Sequence, residues 1–296
     1  MRIPFDTLFG AAKMGASSLH EGAAPVRVAV LVDAGVSRQQ AVWLREALVP
    51  QTVTALVRVA ALDDGDPEIK PDTDLAIVLA GTSGRLEAAV RSVLIAGVPC
   101  MVVAESAGAA PFACGDAPML GLVTSQDRTA MLQGIARWVV ARSDKRTAFA
   151  AAFPFMRIAA AARAVRSASL TNMATGALVF VPGADFPAMT LVQAGMLLEL
   201  ASIFGKPIRP ERAYELAALG CCALAFRAAA RAACGALPRW SFAIKALVAG
   251  AGTLGVGRAL VAFYERDFDY APLNEFIGGA FARIRDIAVP DPVPTV

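Results

Sequence analysis

The chain has 296 residues and carries 28 Lys/Arg against 25 Asp/Glu, a net charge of +3, which is length enough for two domains of ordinary size. It is 56% hydrophobic with a mean hydropathy of +0.55, apolar for a soluble protein although much of that is alanine. A single histidine, His20, and five cysteines without paired metal spacing argue against Ser-His and Cys-His catalysis and against His-rich metal sites. No cofactor and no catalytic residue is expected.

In chain order, residues 1–24 read as a leader. Asp6 interrupts the apolar stretch after Arg2, so the pattern lacks the unbroken core of a secretion signal, and a cytoplasmic location is expected. Residues 26–32, VRVAVLV, form a valine-rich run of the kind found in buried parallel strands. A helical period follows over 39–48. TVTALVRVAAL (52–62) reads as a strand before the acidic turn LDDGDPE, and DLAIVLA (74–80) reads as another. After a GTSG turn come a helix over 85–96, a strand over 97–105, a loose loop at 107–118, a strand at 119–125 and a helix over 127–140. Strands alternating with helices predict a parallel sheet covered on both faces. Cys100, Cys114, Cys221, Cys222 and Cys234 are expected as reduced thiols.

Near residue 142 the character changes to Ala/Leu-rich helical segments punctuated by Gly and Pro. The expected order is a linker helix over 147–168, a helical hairpin (169–181 and 187–204), a helix at 210–235, a Gly-rich helix at 241–266 and a closing helix at 272–287. The domain plan is therefore a leader (1–24), an α/β domain (25–142), a basic linker (143–168), a helical domain (169–288) and a flexible tail (289–296). Charge divides along the same line. Residues 1–141 hold 11 basic and 14 acidic residues, whereas 142–296 hold 17 and 11. An anionic partner is expected for the second half, a membrane surface ahead of nucleic acid, because basic and aromatic residues rarely interleave.

The turn after the first strand stands where a phosphate-binding G-x-x-x-x-G-K-[ST] loop would lie. It reads Val32-Asp-Ala-Gly35-Val-Ser37-Arg38-Gln39. Val32 and Ser37 replace the two glycines, Arg38 the lysine and Gln39 the magnesium-binding hydroxyl. Residues 104–107 read A-E-S-A where a guanine-reading N-K-x-D would stand. The order of elements, with Thr124-Ser125 before the last helix, resembles a small GTPase core that no longer holds nucleotide; a flavodoxin-like or generic Rossmann-like domain is the plainer alternative. Ser37 and Arg38 remain candidate anion contacts at a helix start.

Gly250-Ala-Gly252-Thr-Leu-Gly255 spells G-x-G-x-x-G, yet too little chain follows to build the sheet that a dinucleotide site needs. Gly250, Gly252, Gly255 and Gly257 are instead expected to let helices approach closely. Residues 174–204 hold only two charges, Asp185 and Glu199, around a P-G-A-D-F-P corner. Asp185 is expected to cap the helix beginning near Phe186, and Asn172, Asp185 and Gln193 form a candidate polar site. No segment is a standard membrane span. Arg142, Lys145, Arg146, Arg157, Arg163 and Arg166 offer a basic face for an anionic bilayer, or else a solvated linker.

LTNMATGALVFVPGADFPAMTLVQAGMLLELASIFGKP (170–207) together with FAIKALVAGAGTLGVGRALVAFYE (242–265) resembles the bacterial domain of unknown function typified by the YcjF inner-membrane protein, over roughly residues 165–270. The resemblance implies a helical domain that often follows a GTPase domain and is commonly membrane-associated, and it carries no catalytic residues. The resulting expectation is a non-catalytic scaffold, peripheral at the inner face of the cell membrane or bound to a partner protein, with self-association open and nucleic acid not expected. The competing expectation is an enzyme or sensor whose α/β domain binds a small anion or nucleotide through Ser37 and Arg38.

Overall fold

Strands β1 (Val26–Val32), β2 (Ala55–Ala61), β3 (Leu75–Leu79), β4 (Cys100–Ala104) and β5 (Leu120–Thr124) pair in parallel in the order β2-β1-β3-β4-β5. The computed structural model describes residues 21–62, 68–114, 117–178, 185–206 and 241–266, with positions 225 and 228. The leader up to residue 20, most of the expected helix 210–235, the closing helix 272–287 and the tail lie outside the described residues. Cys221, Cys222 and Cys234 do as well.

Every residue of β3 and β4 is buried, as unbroken apolar runs covered on both faces must be. The strand order is that of flavodoxin-like doubly wound sheets, which place a switch point between β1 and β3. Side chains alternate across the sheet. Val26, Val28 and Val30 of β1 point into one core, and Ala29 and Leu31 into the other. The second core lies under helix α2 (Leu86–Ile95). The first lies under α1 (Arg38–Ala47) and α3 (Arg128–Arg142). Helix α3 starts where the Asp127 carboxylate accepts the Ala130 amide at 2.7 Å, a side-chain N-cap.

Beyond α3 the expected linker is not a linker. Residues 143–168 divide into a short helix α4 (Arg146–Ala152), a 3-10 turn at Pro154–Met156 and the start of α5 (Arg157–Leu178). Thr147 through Ala152 are all buried, and Phe149 packs on Phe153 with ring centroids 6.5 Å apart. A helix that is apolar on every side belongs inside a protein. Pro154, which cannot continue a helix interior, separates α4 from α5. Phe149, Phe153 and Met156 join the sheet core to the helical half in one continuous apolar cluster.

The helical half is built on α5, α6 (Asp185–Ile203) and α7 (Ser241–Glu265). The expected hairpin is present, but its first arm is the 22-residue α5 rather than a separate helix from 169. Helix α6 closes at Gly205, whose φ of +65° suits glycine. The Gly205 amide bonds Ser202 O at 3.0 Å and the Lys206 amide bonds Ala201 O at 2.8 Å, a Schellman-type stop. Helices α5 and α7 run antiparallel. A Cβ on Gly176 would meet Lys245 O at 3.0 Å, one on Gly250 would meet Met173 Cβ at 3.1 Å, and one on Gly257 would meet Val165 Cγ1 at 2.6 Å.

Candidate functional site

The switch point between β1 and β3 is where an open α/β sheet binds its ligand. Here the two loops that would frame a ligand bond to each other. The buried Asp33 carboxylate accepts the Gly81 amide at 3.0 Å and the Ser83 hydroxyl. The Thr82 amide bonds Ala34 O at 2.8 Å. A Cβ on Gly81 would collide with Ala34 O, so the loops lie backbone against backbone. A carboxylate thus takes the backbone and hydroxyl donors that a phosphate would need. Gln40 is buried and donates from Nε2 to Ser125 O at 2.9 Å, tying α1 to the loop after β5. Ser37 makes no side-chain cap at the start of α1, and Arg38 is exposed.

A second polar constellation lies between the three helices of the second half. Asn172 of α5, Gln193 of α6 and Thr253 of α7 are all buried. Asn172 Nδ2 donates to Thr253 Oγ1 at 2.8 Å, and Gln193 Nε2 donates to the same oxygen at 3.0 Å. The Thr253 hydroxyl gives its own proton to Ala249 O at 2.8 Å. A hydroxyl has one donor and two acceptor positions, so this one is fully used. Asn172 Nδ2 also reaches Met189 O at 3.3 Å. The carboxamide oxygens Asn172 Oδ1 and Gln193 Oε1 are buried and have no protein partner.

Two of the three residues expected as a polar site, Asn172 and Gln193, are therefore brought together. Asp185 begins α6, one turn before the Met189 carbonyl that Asn172 touches; its side chain lies outside the described residues. Thr253 is the member that sequence reasoning missed. It sits inside the G-x-G-x-x-G run, which was read for its glycines alone. What this cluster can do chemically is hold three helices in one register. Its described members are two carboxamides and a hydroxyl whose proton is held by Ala249 O.

Of the four glycines expected to pack helices, Gly250 and Gly257 face α5, and Gly252 is buried. Gly255 is exposed with nothing within 4 Å, so it does not belong to that set. An α-helix turns roughly 100° per residue. Gly250 and Gly257, seven apart, share a face, whereas Gly255 lies about 140° round from Gly250.

The six bases expected to form one basic face are dispersed. Arg142 lies over the Trp138 ring at 4.9 Å and donates to Pro118 O. Lys145 pairs with Asp74 at 2.7 Å and reaches Pro25 O. Arg157 donates to Gln51 Oε1 at 2.7 Å. Arg146 and Arg163 stand near Glu199, whose carboxyl is pushed up by burial against their pull. Arg163 and Arg166 are exposed on α5.

Among the described residues, α7 is the one helix long and apolar enough to cross a membrane, and 28% of its most apolar stretch is buried. The Gly-rich helix expected at 241–266 is thus present over 25 residues, and it carries the Lys245 and Arg258 charges for which it was not read as a standard span. No group of three or more His, Cys, Asp or Glu gathers among the described residues. No protein family, curated protein or solved structure matches the chain.

Proposed function

We propose that this chain is a non-catalytic docking protein, in which a Rossmann-like domain that takes no nucleotide supports a helical body that binds an anionic membrane face. The observation that carries the first half is Asp33. Its carboxylate occupies the donors of Gly81 and Ser83 at the switch point, and a second anion there would meet a fixed negative charge with no lysine to offset it. GTP hydrolysis, which the GTPase-like order of elements would invite, is therefore no part of the proposal.

The second half rests on α7. Its outward positions Leu247, Ala251, Gly255 and Ala262 are exposed, and Phe242 and Leu247 are 60% and 67% exposed. An exposed apolar helix face of this length is expected to be covered by something apolar. The resemblance to the YcjF-type domain favours a bilayer, with the protein peripheral at its cytoplasmic side. Lys245 and Arg258 on α7 supply attraction to anionic headgroups, at roughly 1 kcal/mol per base near the surface.

Two measurements test this reading. Calorimetric titration with GTP or ATP and magnesium should give no binding, and micromolar affinity would overturn the closed-crevice argument. Flotation with anionic vesicles should carry the protein at low salt and release it at high salt, with Leu247→Glu abolishing the association. A protein that never floats with anionic lipid sinks the membrane half of the proposal.

A further inference from the structure

The apolar surface of helix α3 runs past the sheet into a valley shared with α5. Met131, Ile135 and Val139 face the sheet core, and Ala136 and Val140, buried in that same core, form with half-buried Leu132 one wall of an open groove of about 870 Å³ against α5. The opposite wall is Phe155, Ile158, Ala159 and Ala162, spaced as one face of a helix. Ile158 is 50% exposed. Leu132, Phe155 and Ala159, half-buried, and Ile158 and Ala162, exposed, leave an apolar valley between the two helices that stays open among the described residues.

The rim of this groove carries a charge pattern. Arg128 and Arg137 stand on the α3 side and Arg163 and Arg166 on the α5 side, and no Asp or Glu is among the described residues that line it. Arg128 pairs with Glu46 at 3.1 Å, both half-exposed, and Arg137 bonds the neutral Gln133. Arg163 and Arg166 are exposed, and Arg166 has no hydrogen bond or ion pair among the described residues. The lined stretch of α3, Arg128 to Ala141, is about 20 Å long at 1.5 Å per residue, enough for roughly three to four helical turns alongside it.

We propose that this groove binds an amphipathic helix of a partner protein that places apolar residues on the Leu132–Ile158 floor and Glu or Asp side chains along both flanks. Arginines set on both rims match carboxylates on both sides of a helix. One lipid headgroup would instead call for bases gathered at one end. Arg is also the base best shaped to take carboxylates two oxygens at a time. The site is separate from the exposed face of α7 and does not depend on membrane docking.

The test uses the full chain and a fluorescent peptide of about 18 residues, with Leu at helical spacing on one face and Glu on both flanks. Anisotropy should show saturable binding that weakens with salt. Arg163→Glu with Arg166→Glu should weaken it at least tenfold, and a Lys-flanked version of the peptide should recover affinity for that variant. Arg163 also stands near Glu199, so melting curves confirm that the variant is folded; Arg166→Glu alone and Ile158→Ala, which leaves all charges in place, give further arms and should each weaken binding. The proposal fails if the acidic peptide binds no better than a Lys-flanked one, or if binding ignores all these substitutions. It also fails if only anionic vesicles, and not the peptide, respond to Arg163→Glu and Arg166→Glu, which would make the groove a lipid site.

Discussion

Val165 and Gly257 meet across the α5–α7 interface with no room for a methyl group: a Cβ on Gly257 would stand 2.6 and 2.7 Å from the two Val165 methyls and 3.1 Å from Met196 Sδ. The glycine is thus a contact surface for two helices at once. Gly257→Leu should destabilise the fold by about 1–3 kcal/mol, the usual cost of overpacking. Gly255→Ala, in open space, should stabilise it by roughly 0.5–1 kcal/mol through backbone entropy. Urea melts of both variants check this, and equal effects at the two positions would refute the assignment of faces.

The Thr253 hydroxyl accepts from both Asn172 and Gln193. Thr253→Val keeps the shape but takes the acceptor from the buried Gln193 amide and leaves Asn172 only its 3.3 Å bond to Met189 O, and should cost about 1–3 kcal/mol. Replacing all three by Leu, Leu and Val removes the polar groups together and should cost much less than the single change. A mutant cycle by chemical denaturation measures the difference. Additive losses would mean the three residues do not act as one cluster.

Burial raises the Glu199 carboxyl above its ordinary value, with Arg146 and Arg163 opposing and Glu21 adding to the rise. A carboxyl whose folded pKa lies above its unfolded value of about 4.3 favours the fold while protonated. Its contribution is complete below that unfolded value and is lost as pH climbs through the folded one. Glu199→Gln should therefore leave stability unchanged below pH 4 and raise it at neutral pH. Melting curves at several pH values would expose a pH-independent difference, which would contradict the burial argument.

Cys100 lies fully inside the sheet, and burial pushes its thiol up to about 12, so it carries almost no thiolate at neutral pH. Cys114 is exposed. Iodoacetamide at pH 8 followed by peptide mapping should label Cys114 in the native protein, and Cys100 only after denaturation. Labelling of native Cys100 would require the sheet to open locally.

The parallel strands were legible because a strand covered on both faces leaves an unbroken apolar run, and 26–32, 75–79 and 100–104 fall within the expected segments. Asn172 and Gln193 stood out as amides in apolar helices. Thr253 did not, because the glycines around it offered a louder pattern. A helix was expected from residue 147, but the burial of α4 was hidden by its flanking bases: Lys145 and Arg146 suggest a wet linker, whereas 147–153, TAFAAAF, is apolar at every turn of the helix. Summing six bases over a segment also discards direction, and three of them turn out to bind the protein itself. The role of Asp33 was missed for a similar reason. The 32–39 turn was compared with the phosphate-loop pattern at Val32, Ser37, Arg38 and Gln39 only, and Gly81 and Ser83, the partners of Asp33, come from the loop after β3.

Helix α4 has a consequence for how the chain can be divided. Seven residues whose side chains fill the space between a sheet and a helical bundle cannot be assigned to either side without leaving a hole in the other. A cut anywhere from Ser143 to Pro154 would uncover Phe149 and Phe153 on one fragment and the floor that received them on the other. Such fragments are expected to precipitate apart and to recover only when mixed, and heating should melt the intact chain in a single step.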